Sequence, residues 1–401
     1  MNILVLNCGS SSAKFAVLDS GSETEAISGI AQRLGTPEAT LDWKCRGEKR
    51  SQGLPGARHD AALRAIVELL ATLGLADDLG GVGHRVVHGG PRFSGSTAIT
   101  PEVERQIEDC VALGPLHNPP NLLGIRIAKE LLPRLAQVAV FDTAFHQTMA
   151  PAAYTYPVPY EWLERHQVRR YGFHGTSHRF VAGRALEVLE LRGKDSALVT
   201  AHLGNGCSLA AVKDGRSVDT TMGLTPLEGV MMGTRSGSID PAIVVRMAEV
   251  LGQPAAAIVD ALNQQSGLLG VSGLSNDMRV IEEAAGAGHP RARLALEMFC
   301  YGLAKSVASL VVPLGRLDAL VFTGGIGENS ARVRGRVVEQ LAFLGLSVDP
   351  AANAAHGKGN RGRITRESSP QALVVATNEE LMIAVDTAET VGALGRDASN
   401  P

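Results

Sequence analysis

The chain opens with an apolar run, Ile3 to Leu6, that meets polar Asn7, breaks at Gly9-Ser10-Ser11-Ser12 and resumes from Phe15 to Leu18. Such a pattern predicts a β-hairpin, followed by a second turn at Asp19-Ser20-Gly21. The same pattern recurs at "LVTAHLGNGCSLAAVKDGRS", residues 198–217. Moved back by 195 positions, this stretch lies on the opening without a gap: His202 on Asn7, Gly204 on Gly9, Val212 on Val17, Asp214 on Asp19. Two matching hairpins, one near the start of each half, point to an internal duplication. Apolar spacing predicts helices near residues 59–74, 102–110, 121–132, 178–191 and 290–311. Two late segments, "ALVFTGGIGENSARVRGRVVEQL" and "ALVVATNEELMIAV", read as strand, turn and helix, the second with Thr377 and Glu380 at capping-box spacing. Strands and helices so interleaved predict an α/β fold with helices packed on central sheets. The proline-rich "TMAPAAYTYPVPYEW", residues 148–162, is the expected connector between the halves. Residues 35–58 and 351–370 are expected to be exposed excursions.

Composition narrows the field. With 401 residues, 45% of them hydrophobic, the chain can bury two cores. A net charge of −3 without a basic block argues against a nucleic-acid or membrane-surface partner. Five scattered cysteines with no C-x-x-C pair suit a reducing compartment rather than a disulfide framework or zinc site. The opening has no lysine or arginine before a short apolar run, so it does not read as an export signal. No stretch is expected to reach the ~18 apolar residues of a membrane helix. A soluble, cytoplasmic protein is expected, with Cys8 as a small buried residue.

Several motifs carry chemistry. In the first hairpin Gly9 permits close approach, Ser10 and Ser12 offer hydroxyls and Lys14 adds charge, a set suited to phosphate oxygens. The second hairpin repeats the arrangement with His202, Gly204, Asn205 and Gly206. An ordinary polar turn would explain either loop alone; two of them suggest a grip on a polyphosphate. "GGIGEN" completes neither the dinucleotide nor the P-loop fingerprint and reads as a third glycine turn, a nucleotide contact or plain packing. Arg85 in "GHRVVHGG" and Arg235 in "MMGTRSGSIDP" place guanidinium forks in flexible glycine-rich context, where carboxylate or phosphate can approach. His117, His146, His174 and His178 show no metal-ligand spacing with an acidic third ligand. "HGTSH" is expected as a loop leading into a helix, and His146 and His178 as histidines satisfied by backbone. Asp142 ends an apolar strand, a position that commonly faces a cleft. Glu379 starts the last helix, where it either serves a site or simply complements the helix dipole.

Taken together, "NCGSSSAKF", "GHRVVHGG", "PLHNPPN", "FDTAFHQTM", "YGFHGTSH", "HLGNGCS", "TPLEGVMMGTRSGSIDP", "GVSGLSNDMR", "FTGGIGEN" and "TNEEL" resemble the acetate kinase family, in its order and over residues 3–381. The resemblance implies duplicated ribonuclease-H-like (actin-like ATPase) domains with a nucleotide cleft between them. One would span residues 1–147 and be completed by the C-terminal segment from about 381 to 401; the other would span 148–380. It implies reversible transfer of the ATP γ-phosphate to acetate, giving acetyl phosphate and ADP, with Mg2+ or alternatively Mn2+, in a homodimer. Asn7 and Glu379 would sit at the metal. Ser10, Ser12, Lys14, His202, Leu203, Gly204, Asn205 and Gly206 would lie along the phosphates. Asp277, Met278, Arg279, Gly325, Ile326, Gly327, Glu328 and Asn329 would surround adenosine. Arg85 would bind the acetate carboxylate with His117 nearby, and Val87, Leu116, Phe173 and Pro226 would meet the methyl group. His174 and Arg235 would stabilise the transition state, and Asp142 would be the active-site carboxylate.

Acetate arrives ionised at neutral pH, so Asp142 is expected to organise metal, His174 or Arg235 rather than to act as a base. The bulk of the four methyl-pocket residues suggests acetate over longer acids. The alternatives are a propionate or butyrate kinase and a non-catalytic nucleotide-binding switch; a Rossmann oxidoreductase lacks its fingerprint.

Overall fold

The computed structural model describes residues 1–367 and 370–398, arranged as two compact units. The first holds residues 1–147 and the chain from 378 onward; the second holds 148–377. Residues 368–369 of the expected excursion and 399–401 of the expected C-terminal segment lie outside the described residues.

In the first unit β1 (Asn2–Cys8), β2 (Ser12–Asp19), β3 (Glu25–Gln32), β4 (Thr40–Cys45), β5 (Glu48–Gly53), β6 (Leu79–Val86), β7 (Thr97–Ala98) and β8 (Gln137–Phe141) form one sheet, ordered β5-β4-β3-β2-β1-β6-β8-β7. Strands β1, β6 and β8 run parallel, while β1 to β5 form an antiparallel meander. Residues 35–58 are therefore no excursion: they supply β4 and β5, which extend the meander beyond the helices. Their charged, exposed side chains on β5 hid the strand from a hydrophobic reading. Helices His59–Thr72 and Asn118–Leu131 cover one face, where Leu4, Leu6, Phe15, Ile66 and Ile127 share a core. The C-terminal helix, Glu379–Ala398, packs on β6, β1 and β8. It lies so close that a Cβ on Gly83 would sit 2.3 Å from Thr387 Oγ1 and 2.7 Å from Ile383 Cγ2. Gly81 and Gly83 of "LGGVGHRV" thus form the docking groove of the last helix.

In the second unit β9 (Ala197–Leu203), β10 (Cys207–Lys213), β11 (Arg216–Thr220), β12 (Ala319–Thr323) and β13 (Gln371–Val374) are ordered β11-β10-β9-β12-β13. The arrangement repeats the β3-β2-β1-β6-β8 part of the first sheet, an antiparallel hairpin and third strand joined to parallel strands. The duplicated α/β fold expected from the sequence is present. One detail differs. β9 occupies β1 shifted by 195 residues, but Cys8 pairs with Ala13 whereas Leu203 pairs with Cys207. The second turn is one residue shorter, so the returning strands correspond at 194 rather than 195. Every residue of β9 and β12 is buried, as in sheets covered on both faces.

Helix Pro290–Val311 lies against β9 and β10. It is long and apolar enough to span a membrane, with mean hydropathy 1.4, contrary to the expectation of no such run. Its buried stripe from Ala292 and Leu296 through Leu303 to Leu310 makes it a core helix of this unit. The proline-rich connector forms two short helices, Pro151–Tyr154 and Glu161–His166, that belong to the second unit. Within 351–370, Ile364 and Thr365 are buried, so that stretch is only partly an excursion.

His84 on β6 carries a pH prediction. It is 2% exposed, and its Nε2 lies 2.7 Å from Gln137 Oε1, whose amide nitrogen donates to the Leu132 and Leu135 carbonyls. The ring therefore donates, and burial pushes its pKa down from 6.5 to about 4. The unfolded chain takes up this proton first, so stability is full above pH 6.5 and falls as pH drops toward 4. Urea unfolding should show about 2 kcal/mol less stability at pH 5 than at pH 7 from this group. His84→Gln should remove that slope; an unaltered slope would assign it to other groups.

Candidate active site

Each unit carries its own set of candidate residues. In the first, Asn7, Arg85 and Asp142 lie at the C-terminal ends of adjacent parallel strands β1, β6 and β8, where open α/β sheets present ligand sites. Asp142 is 1% exposed and takes both Arg85 Nε (3.0 Å) and Nη2 (2.7 Å) on its carboxylate. Within its unit the partner of Asp142 is therefore Arg85. Arg85 Nη2 is also 3.8 Å from Glu379, and Nη1 makes no hydrogen bond among the described residues. Burial opposes the Arg85 charge, yet the Asp142 and Glu379 carboxylates more than offset it and hold its pKa above the ordinary value.

Glu379 answers differently to the same surroundings. Burial, reinforced by Asp142, raises its pKa, while Arg85 and Lys14 pull it back. Its Oε2 is buried and accepts no hydrogen bond among the described residues. An orphaned carboxylate oxygen of this kind fits a cation, and no group of three or more His, Cys, Asp or Glu able to hold a metal occurs among those residues. Magnesium typically needs only one or two protein carboxylates when phosphate supplies the rest.

Polar side chains not singled out from sequence fix these loops. Asn118 accepts from the His88 N–H and donates to its carbonyl. Asn121 accepts from Val87 N–H at 3.0 Å and donates to the Cys8 carbonyl at 2.8 Å. His59 Nε2 lies 2.7 Å from the Gly9 carbonyl. The signal for the asparagines was their three-residue spacing in "HNPPN", one face of a helix start. Around them Val87 is half-buried, His117 precedes the helix, Ser10 and Lys14 are exposed, Ser12 opens β2, and Leu116 is 63% exposed. The last helix is capped by Asn378, whose Oδ1 accepts from Leu381 N–H, not by the expected Thr377–Glu380 box. Thr377 bonds Ser177 instead.

In the second unit the turn Gly204-Asn205-Gly206 lies among His174, His202 and Arg235. The His174 and His202 rings stack at 4.3 Å. A Cβ on Gly206 would be 3.3 Å from Arg235 Nη1 and 3.5 Å from His174 Cε1, so a bare backbone lets both side chains reach one place. Arg235 is half-buried, donates to the Pro226 carbonyl at 3.3 Å and makes no ion pair among the described residues; burial lowers its pKa. His174 has φ +56° and caps helix Gly175–Val188. Gly175 and Thr176 are helical rather than loop, and His178 is satisfied by Thr200 and Ser208 side chains rather than by backbone.

Beside the turn, an open cavity of about 690 Å³ is lined by Gly204, Asn205, Asn276, Asp277, Arg279 and Gly325 among others. Asp277 caps helix Met278–Gly286, and its ionised form is favoured mainly by the exposed Arg279 guanidinium it binds. Ile326 and Asn329 also line this space. Met278, though largely buried, lines it as well, while Leu203, Gly327 and Phe173 are buried. Glu328 turns away from solvent: its Oε1 accepts from Gly324 N–H at 3.0 Å and Thr377 N–H at 3.2 Å, joining two loops.

A model described as the acetokinase family matches residues 2–385. The acetate kinase of Deinococcus radiodurans is 54% identical over 98% of this chain and 98% of its own length. Among solved structures, a propionate kinase from Francisella tularensis superposes with a TM-score of 0.93 at 44% identity, covering 97% of this chain and 99% of that one. The acetate kinase of Porphyromonas gingivalis gives 0.91 at 44% identity, with the same coverage.

Proposed function

The chain belongs to the acetokinase family, and from that premise we propose that it transfers the γ-phosphoryl group of ATP to acetate, reversibly and directly in line. The observation that supports it best is Arg85, pinned on one edge by Asp142 with Nη1 left over to meet a second carboxylate. A nucleotide-binding switch has no use for such a group.

Chemically the division of labour is simple. Arg85 holds and orients the acetate, whose oxygen attacks as the anion it already is. Val87 meets its methyl group. Gly204, Asn205 and Gly206 hold phosphates through their backbone, and the cavity beside them takes the nucleoside. Arg235 and His174 donate to the equatorial oxygens of the loose phosphoryl transition state, where positioned charge supplies most of the rate. Glu379 and Asn7 would hold the magnesium of the nucleotide, which neutralises phosphate charge when bound. A cytoplasmic homodimer belongs to the same reading.

Trapping acyl phosphates as hydroxamates across short acids tests it. Acetate should lead, with propionate poorer by the ~1–3 kcal/mol of one methylene. Val87→Ala should move the ratio about tenfold toward propionate. No hydroxamate from any acid would replace this reading with the switch; a lead by propionate would make it a propionate kinase.

A further inference from the structure

Four side chains behind the turn form one line of hydrogen bonds. His174 Nδ1 and His178 Nε2 each lie 2.8 Å from the same oxygen, Ser208 Oγ, and His178 Nδ1 lies 2.7 Å from Thr200 Oγ1. Ser208, His178 and Thr200 are fully buried. A serine hydroxyl carries one hydrogen, so Ser208 donates to one ring and accepts from the other.

Two arrangements of hydrogens satisfy all three links. In one, Thr200 donates to His178 Nδ1, His178 donates from Nε2 to Ser208, and Ser208 donates to His174 Nδ1. The hydrogen of a neutral His174 is then on Nε2. In the other every link is reversed, His174 Nε2 is a bare lone pair, and the Thr200 hydrogen must turn to the Ala210 carbonyl. That carbonyl is 3.5 Å away, against 2.7 Å to His178, and a bond that long is poor. The first arrangement spends every hydrogen of the buried Thr200, His178 and Ser208 on a short bond and leaves only the His174 Nε2–H to face the turn; the second strands the hydrogen of a fully buried threonine.

We infer that the Ser208 hydroxyl, oriented by His178 and Thr200, fixes neutral His174 as its Nε2–H tautomer and so makes it a ready donor to the transferring phosphoryl group. Ser208 is a positioning residue, and the inference rests on the phosphotransferase reading above. His174 Nε2 faces the correct place: it would be 3.6 Å from a Cβ on Gly206, beside Arg235. The groups around the ring include His178 on its own helix, His202 stacked from β9, Ser208 on β10 and Arg235. With Arg235 nearby, an imidazolium would meet like charge; a neutral donor avoids that. Fixing a tautomer through the far ring nitrogen is a known lever on histidine function.

The test uses the full chain as wild type, Ser208→Ala and Ser208→Thr. Acyl phosphate formation should be flat in wild type from about pH 7 to 9, because a neutral His174 already donates. In Ser208→Ala kcat should fall about 10–100-fold and decline further as pH rises, since only the imidazolium now guarantees a donor. KM for ATP and acetate should move less than twofold, and Ser208→Thr should restore the flat profile. Selective 15N-histidine spectra, with His174 assigned by its loss in His174→Gln, should show Nε2 protonated and Nδ1 bare in wild type. A wild-type His174 protonated on Nδ1, or a Ser208→Ala profile parallel to wild type, would overturn the inference. The spectra read the tautomer without turnover, so absence of acyl phosphate would count against the reaction alone.

Discussion

Arg85→Ala should lower kcat/KM for acetate by about 10³-fold, near 4 kcal/mol of transition-state binding, while KM for ATP should stay within about twofold. Arg85 is already half-committed to a buried carboxylate, and Asp142 spends two of its nitrogens. Truncation therefore does two things: it removes the acetate partner, and it leaves Asp142, at 1% exposure, beside Glu379 without its cation. Arg85→Lys should recover little, because an ammonium cannot serve Asp142 with two bonds and still present a third nitrogen to substrate. Asp142→Asn separates the two effects. It keeps the guanidinium but loosens its orientation, so kcat/KM for acetate should drop about 10–100-fold, mostly in kcat. Initial rates with acetate varied at saturating ATP measure all three; an Arg85→Ala enzyme with an unchanged acetate KM and kcat would remove Arg85 from the acceptor site.

The pairing of Arg85 with Asp142 also marks how far sequence could go. Both residues stood out, Arg85 from its glycine context and Asp142 from its place at a strand end, but nothing in "GHRVVHGG" or "FDTAFHQT" says that they touch. Their contact comes from β6 and β8 being neighbours in parallel register, Arg85 opposite Val140, a long-range fact set by sheet order. The repeated hairpin was legible because strand, glycine turn and strand are local patterns. Its one-residue shorter second turn was not, since an ungapped alignment and a slipped return strand read alike. Strand β5 escaped because its exposed charged residues carry no alternation. Ser208 escaped for the opposite reason: in "NGCSLAAV" it is a small residue in a buried strand, and its contacts appear only when His174 and His178 arrive from the start of helix Gly175–Val188.

Arg235→Met should cost about 10²–10³-fold in kcat and at the same time make the free protein more stable. The two outcomes share one cause. Arg235 is a half-buried cation with a carbonyl at 3.3 Å and a methionine sulfur at 3.8 Å but no carboxylate among the described residues, and burial already pulls its pKa down. Holding such a charge without a counter-ion destabilises the fold, and methionine fills similar volume without that cost. On the proposed function its electrostatic complement would be the anion that arrives with the nucleotide, which would account for a charge without a counter-ion beside Gly206. Calorimetry should therefore place Arg235→Met above wild type in Tm without ligand, by a few degrees for about 1 kcal/mol in a unit of this size. Adding ATP should reverse the order, since only wild type gains the pairing. Arg235→Lys, which keeps charge but loses the fork, should keep the instability and still lose most of kcat. Were Arg235→Met less stable than wild type in the absence of nucleotide, the arginine would be a packing element of the loop from Met232 to Ser236, and its catalytic assignment would lose its physical basis.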